Sequence, residues 1–176
     1  MPERYSVRVA GEASQANALR RALTSRLETV APRSVTIEVN TTCMSDEFIA
    51  HRIGLIPFSQ HDGLKDATLD VRGRSAFARD FVCAGPTPVS GEIEVMRMAG
   101  AQRLALTVHF ETGKGAARFC RVAALGMRPV AGGEHGIMEH ELAFEPLHTG
   151  DGARCVDEAL EALEAELARA RAAVEA

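Results

Sequence analysis

The sequence has few cysteines, and none of them lies near another. Cys43, Cys83, Cys120 and Cys155 are widely separated and form no Cys-x-x-Cys pair. Because a zinc knuckle needs such pairs, we expect no bound metal, and we expect no other cofactor. The four cysteines are expected to be reduced, as in an intracellular protein. No apolar run approaches the roughly 20 residues of a membrane-spanning helix. The first residues also lack the charged-then-apolar layout of a secretory signal.

Lysine is scarce as well, since two Lys stand beside eighteen Arg, and the net charge is -4 with acidic and basic residues intermixed. A protein that grips DNA phosphates by itself usually has a basic face. We therefore expect no sequence-specific DNA binding by this chain alone. The hydrophobic content of 46% over 176 residues is typical of a soluble globular protein that can build a core without disulfides.

The N-terminal part predicts two strands around one helix. Residues 5–9 alternate between apolar and polar, with the period of a half-buried strand. Ser14 is a candidate cap for a helix that continues to about Leu27 and carries one apolar face. Pro32 is predicted to end this part of the chain, and residues 35–39 alternate again as a second strand.

A short helix and a β-rich region follow. Ser45 precedes two acidic residues, which favour the first turn of a helix, and this helix is predicted over 46–53 with Gly54 as its stop. Residues 60–128 consist of short alternating segments divided by Gly and Pro, and 104–110 form the clearest one. This region is typical of a small, mostly antiparallel β unit.

The Gly132-Gly133 pair is predicted to close the β-rich region, and a strand around 142–144 and a loop over 146–152 are predicted to follow it. The last segment of the chain then predicts a long helix. Its apolar residues are spaced 4, 3, 4, 3, 4, and its acidic side chains give way to Arg towards the C-terminus, which suits the helix dipole. Two interpretations stay open from the residues alone: the helix packs on its own sheet, or it shares this face with a partner chain. The spaced residues are Val156, Leu160, Leu163, Leu167, Ala170 and Val174.

Three patterns could carry chemistry, and none meets its requirements. The turn at 112–115 contains Gly-Lys-Gly but lacks the first Gly and the final hydroxyl residue of a phosphate-binding loop. His135 and His140 are five residues apart, which places them on opposite faces of a strand. Cys43 could meet His51 as a nucleophile, but a buried thiol explains it as well. We expect no catalytic residue in this chain.

Three segments carry a family resemblance. They are Asn-Ala-Leu-Arg-Arg at 17–21, Ile-Glu-Val-Asn-Thr-Thr at 37–42, and the run from Asp-Glu-Phe-Ile-Ala-His-Arg to Pro at 46–57. In order and separation they closely resemble the signature of the alpha-like subunits of archaeal RNA polymerase and of the third-largest subunit of eukaryotic RNA polymerase II. Residues 113–124 and 141–144 match more loosely. The bacterial alpha subunit shares the first segment but lacks the run at 46–52.

The resemblance implies an α+β fold with two domains. A discontinuous alpha-like dimerisation domain is expected from residues 1–59 and 130–176. A mostly antiparallel β domain is expected to be inserted between its halves, over residues 60–129. The first and last helices of such a fold form the face that meets a smaller homologous subunit.

The resemblance also implies two interfaces in a DNA-directed RNA polymerase. The small homologous subunit is expected to contact Leu19, Leu23, Leu27, Val156, Leu160, Leu163, Leu167, Ala170 and Val174. The second-largest subunit, and through it the largest, is expected to contact Asn17, Arg20, Arg21, Asp46, Glu47, His51 and Arg52. On this interpretation the chain is a non-catalytic assembly subunit with no membrane partner, and it acts inside the cell where transcription takes place, in nucleus or cytoplasm.

The chain departs from the family in the inserted region. Many relatives carry a cysteine-rich zinc loop or an iron–sulfur cluster there, and this chain has neither set of cysteines. Arg121 also replaces a family proline. A compact, metal-free version fits a large DNA virus, with the virion as a further location, or a divergent microbe. The alternative is a free-standing homodimeric scaffold or a transcription-regulating paralogue, and an enzyme acting alone ranks third.

Overall fold

The computed structural model describes residues 4–130, 138–147 and 151–175. Its helices and antiparallel sheets confirm the predicted α+β class. In chain order the elements are β1 (Tyr5–Ala10), α1 (Ala13–Ser25), β2 (Thr29–Asn40), α2 (Asp46–Gly54), β3 (Ala67–Arg72), β4 (Ala76–Phe77), β5 (Val82–Cys83), β6 (Glu94–Met96), β7 (Arg103–Gly113), β8 (Val122–Val130), β9 (Glu139–Pro146) and α3 (Gly152–Glu175). The predicted Gly132-Gly133 break and His135 lie outside the described residues.

The chain forms two compact units, and the boundaries between these units differ from those of the predicted domains. The first unit consists of Met1–Glu28 and Lys114–Ala176, and the second of Thr29–Gly113. β2 pairs with β7 along almost its whole length. Because of this pairing, β2 and α2, which packs on it, belong to the second unit. β8 pairs with β9 and therefore belongs to the first.

The first unit is a three-stranded sheet, in the order β1-β9-β8, with α1 and α3 packed on it. Alternate residues of β9 are buried, among them Leu142 and Phe144, which have no exposed surface. The ring of Tyr5 stacks on Phe144 with 6.3 Å between centroids. A Cβ on Gly152 would lie 2.2 Å from Cγ of Tyr5, so α3 has to begin with glycine where it passes this ring.

Two local predictions in the N-terminal part are wrong. α1 begins at Ala13, so Ser14 lies inside the helix and not at its cap. The backbone N–H of Glu12 instead donates to Oε1 of Gln15 at 3.1 Å, which satisfies the helix start. Pro32 does not interrupt the structure but lies within β2. β2 is the edge strand of its sheet and its register shifts at Pro32, and both conditions tolerate a missing N–H.

The second unit contains a four-stranded sheet in the order β2-β7-β3-β5 and the short pair β4-β6. Its core includes Phe58, whose ring meets Phe110 edge-on at 4.8 Å and Phe81 at 5.9 Å. α2 starts as predicted, because Oγ of Ser45 accepts a hydrogen bond from the N–H of Phe48. Buried Ile49 and Ile53 hold one face of α2 in this core.

Candidate interaction surfaces

An apolar groove of about 690 Å³ crosses the first unit. Its floor and walls come from the half-buried face of β1, from α1 and from the outer face of α3. Aliphatic side chains dominate the lining, and Arg8, Gln15, Glu164 and Glu166 lie among them. Because three elements contribute to the groove, its shape depends on the fold of the whole unit. The aliphatic residues are Val7, Val9, Ala10, Ala18, Leu19, Val156, Leu160, Leu163, Leu167 and Ala170.

The residues predicted for the small-subunit interface fall into two groups. Leu19, Leu23, Leu27 and Val156 are at most 9% exposed and belong to the core of the unit, although Leu19 and Val156 also line the groove. The other group lies on the outer face of α3, where Leu160 is 44%, Leu167 70% and Val174 88% exposed. Leu163 lies between the two groups, half-buried against the core.

The structure adds Val7, Val9 and Ala18 to the predicted apolar face. The alternation at residues 5–9 signalled a buried strand face, but it could not show that this strand lies at the sheet edge beside two helices. That position depends on the pairing of β1 with β9, which is more than 100 residues away in the chain.

Asn17 and Arg20 form a paired polar group on α1. Nε and Nη2 of Arg20 donate to Oδ1 of Asn17 at 3.0 and 2.8 Å. This bond holds the guanidinium in one orientation on the helix surface. Arg21 is exposed, and its side chain makes no hydrogen bond or ion pair to the described residues. A fixed and a free guanidinium therefore lie side by side.

α2 exposes an apolar stripe that the sequence prediction did not include. Phe48 is 42% exposed, and Met44 before the helix and Leu55 after it are 40% and 52% exposed. Glu47 and His51 are exposed on the same helix and have no side-chain partner among the described residues. The signal in the sequence was available, since Met44, Phe48 and Leu55 recur at helical spacing away from Ile49 and Ile53.

Two predicted interface residues on α2 are already engaged within the second unit. Nη2 of Arg52 donates to the carbonyl of Glu94 at 2.7 Å, and its guanidinium lies 5.9 Å from the ring centre of Phe48. Oδ1 of Asp46 accepts from Nδ2 of Asn40 at 2.7 Å. Both contacts fix the helix in place, so these residues support the exposed surface from within the unit.

A buried ion pair fixes the start of α3. Arg121 is 4% exposed, and its Nη1 donates a hydrogen bond to Oε2 of Glu158. Nε of Arg154 donates to the other oxygen of Glu158 at 2.8 Å. Arg121 therefore links the β8 end of the sheet to α3.

One cluster in the second unit has the order of groups seen in hydrolase triads. Oδ2 of Asp66 lies 2.9 Å from Nδ1 of His109, and Nε2 of His109 lies 3.1 Å from Oγ1 of Thr36. Acyl transfer also needs N–H donors aimed at the developing oxyanion. Thr36 and His109 lie within strands, whose N–H groups point along the sheet and not towards its face. This cluster is a polar network on an exposed sheet surface.

The patterns that the sequence analysis set aside gain no support. Gly113 ends β7, so the Gly-Lys-Gly segment is the end of a strand and not the start of a helix that could hold phosphate. Cys43 is exposed, so the interpretation of this residue as a buried thiol is wrong. Over residues 4–130, 138–147 and 151–175, no three His, Cys, Asp or Glu side chains converge as metal ligands. None of the helices in these ranges is both long and apolar enough to cross a membrane.

Comparison with known proteins identifies relatives, although no protein-family model matches the chain. Subunit 3 of DNA-directed RNA polymerases II, IV and V from Arabidopsis thaliana is 56% identical over 48 residues, or 27% of this chain and 15% of that protein. Subunit RPB3 of DNA-directed RNA polymerase II from Schizosaccharomyces pombe is 55% identical over 42 residues, or 24% of this chain and 14% of that protein.

An archaeal protein aligns over a longer stretch. DNA-directed RNA polymerase subunit Rpo3 from Pyrobaculum calidifontis is 30% identical over 121 residues, which are 56% of this chain and 47% of that protein. The chain therefore spans less than half the length of each of these three relatives. These matches confirm the resemblance inferred from the motifs: the chain is a relative of the alpha-like subunits of multisubunit DNA-directed RNA polymerases.

Proposed function

We propose that the chain is a non-catalytic assembly subunit of a DNA-directed RNA polymerase. The observation that carries the proposal is the apolar groove of the first unit, on a chain related to polymerase subunits. On this proposal the chain pairs with a small homologous subunit and then binds the large subunits that synthesise RNA. It works where transcription takes place.

The groove supports the pairing step. β1, α1 and α3 together form a continuous apolar surface. Single exposed leucines are common on monomeric proteins, whereas a continuous apolar surface marks an interaction site. A helix of the small subunit that fills the groove would remove Leu160 and Leu167 from water. Each of these side chains adds to the affinity in proportion to its exposed apolar area.

The surfaces around Arg21 and on α2 support the second step. The guanidinium of Arg20 is held by Asn17, so a carboxylate of the second-largest subunit would meet a donor that is already oriented. Next to Arg20 in the chain, Arg21 adds a second guanidinium, which has no partner among the described residues. On α2, Phe48 offers an apolar contact and His51 a polar one.

Purification from the native source tests the whole proposal. The tagged chain is recovered by affinity, and the co-purifying proteins are identified by mass spectrometry. Two very large subunits and one small homologous subunit are expected. Recovery of the tagged chain alone would contradict a polymerase role and favour a free-standing scaffold.

Substitution of the arginines tests the division into two surfaces. Arg20→Ala with Arg21→Ala is expected to spare the small-subunit pair and to reduce recovery of the second-largest subunit. Arg72→Ala, an exposed arginine on β3, is the matched control and should recover both. Loss of the small subunit in the double variant would show that these arginines do not act at a separate surface.

A homodimeric scaffold is the second candidate, and the exposed apolar face of α3 favours it. Leu160, Leu167 and Val174 are seven residues apart and therefore lie on one face of the helix, where all three are exposed. Two copies of α3 that pack antiparallel would bury these side chains against each other in a symmetric dimer. The mass of the purified chain, measured by light scattering during size-exclusion chromatography, separates a dimer from a monomer.

A further inference from the structure

A polar network forms around Asn40, the last residue of β2. Its Nδ2 donates to the carbonyl of Met44 at 2.9 Å and to Oδ1 of Asp46 at 2.7 Å. Its Oδ1 accepts from the backbone N–H and the hydroxyl of Thr42 at 2.9 and 2.8 Å. The amide has two donor hydrogens and two acceptor positions, and all four are used.

This network joins a strand to a helix. The loop over 41–45 is anchored at its first residue, because the N–H of Thr41 donates to the carbonyl of Arg103 at 3.0 Å, and the N–H of Arg103 donates back to the Thr41 hydroxyl at 2.7 Å. At the other end Asn40 binds Asp46, the first residue of α2. Asn40 therefore spans the loop and ties the end of β2 to the first turn of α2, next to the Ser45 cap.

We propose that Asn40 is the positioning residue of the α2 surface: it holds the helix start so that Phe48 and His51 meet the second-largest polymerase subunit in a fixed orientation. This inference rests on the proposed function. It also reassigns Asp46, whose carboxylate serves the loop by accepting from Asn40. Asn40 itself is part of the family motif, but the resemblance assigns it no role.

Only an amide can make these four contacts at this reach. Asp in place of Asn40 keeps the acceptor for Thr42 but loses both donors, and it sets a second carboxylate against that of Asp46. Like charges at this distance repel each other strongly. Asp46→Asn, in contrast, keeps an oxygen that Asn40 can donate to. Combining Asn40→Asp with Asp46→Asn restores one donor–acceptor pair with the direction of the bond reversed.

These three variants form a cycle with two measurements. Hydrogen exchange followed by mass spectrometry reports the protection of α2 amides, and affinity recovery from the native source reports the small and large subunits. Asn40→Asp should speed exchange in α2 about tenfold and lower recovery of the second-largest subunit about tenfold, as expected for losing a hydrogen bond to a charged group. Exchange in β3 and β7, and recovery of the small subunit, should stay unchanged. Asp46→Asn should lose less than Asn40→Asp in both measurements, because Asn40 still has an oxygen to donate to, and the double variant should regain part of both losses.

The two measurements separate this inference from the proposed function. If the wild-type chain recovers no large subunit, the proposed function fails, while the exchange cycle still tests whether Asn40 positions α2. If Asn40→Asp speeds exchange but leaves large-subunit recovery unchanged, the positioning role in docking is overturned. A double variant no better than Asn40→Asp would overturn the contact with Asp46 as its basis.

Discussion

Replacing Leu167 by Asp is expected to abolish pairing through the groove with little change in the stability of the chain. Leu167 lines the groove and is 70% exposed in the unpaired chain. Its side chain therefore contributes little to the core of the first unit. Leu163 is a less suitable target, because it is half-buried and packs against that core.

The size of the effect follows from the exposed fraction. Full burial of a leucine side chain stabilises by about 1.5–3 kcal/mol, so covering the exposed part of Leu167 is worth about 1–2 kcal/mol. Burying a carboxylate without a partner costs several kcal/mol more. Since about 1.4 kcal/mol corresponds to a factor of ten, the dissociation constant of the pair should rise at least about a hundredfold.

The assay is affinity recovery of the small subunit with the Leu167→Asp chain, beside a thermal melt of the same protein. Val82→Asp is the matched control, since Val82 is 72% exposed on β5 in the second unit. The control should recover the small subunit as well as the wild type does. Normal recovery with Leu167→Asp would refute the placement of the interface in the groove.

Two further predictions concern charged groups inside the units. Asp80 accepts a bidentate bond from Arg74, which lowers the pKa of Asp80 against the opposing effect of burial. A lowered pKa in the folded state contributes stability above the ordinary Asp value of about 3.9, and this contribution is lost as the pH falls through the folded pKa. Asp80→Asn should therefore lower the melting temperature at pH 7 and weaken its acid dependence, whereas Asp70→Asn, on an exposed pair, should change little. Glu158→Ala should lower the free energy of unfolding of the first unit by about 3–5 kcal/mol, because it leaves Arg121 buried without its partner. Arg121→Met should cost much less by denaturant titration, and equal losses would contradict this account.

The parts of the fold that were predictable have a local signal. The alternation at 104–110 lies within β7, and Ser45 with its acidic neighbours marks the start of α2. The spacing of apolar residues in the last segment likewise predicted α3. In each case the pattern is contained in a single element, so it can be recognised without knowing what the element packs against.

The missed features depend on partners that are distant in the chain. Pro32 by itself predicts an end, and only the position of β2 at a sheet edge makes it compatible with a strand. Arg52 looks like a free charge until β6 brings the carbonyl of Glu94 to it. The role of Asn40 is an exception, because all its side-chain partners lie within six residues. It was missed because several turn conformations are open to an Asn before a helix.

The division of α3 into a packed half and an exposed half has a consequence for how long the chain survives in the cell. Cys155, Val156 and Ala159 anchor its first turns, but beyond Leu163 most described side chains are exposed, and the ion pair of Glu166 with Arg26 is a polar contact near the surface. A helix of three turns without tertiary support is marginal in water, so this half opens locally at small free-energy cost. Opened segments are cut by proteases before folded ones. An unpaired copy should therefore be turned over faster than a paired one, so that the supply of the partner sets how much of the chain accumulates.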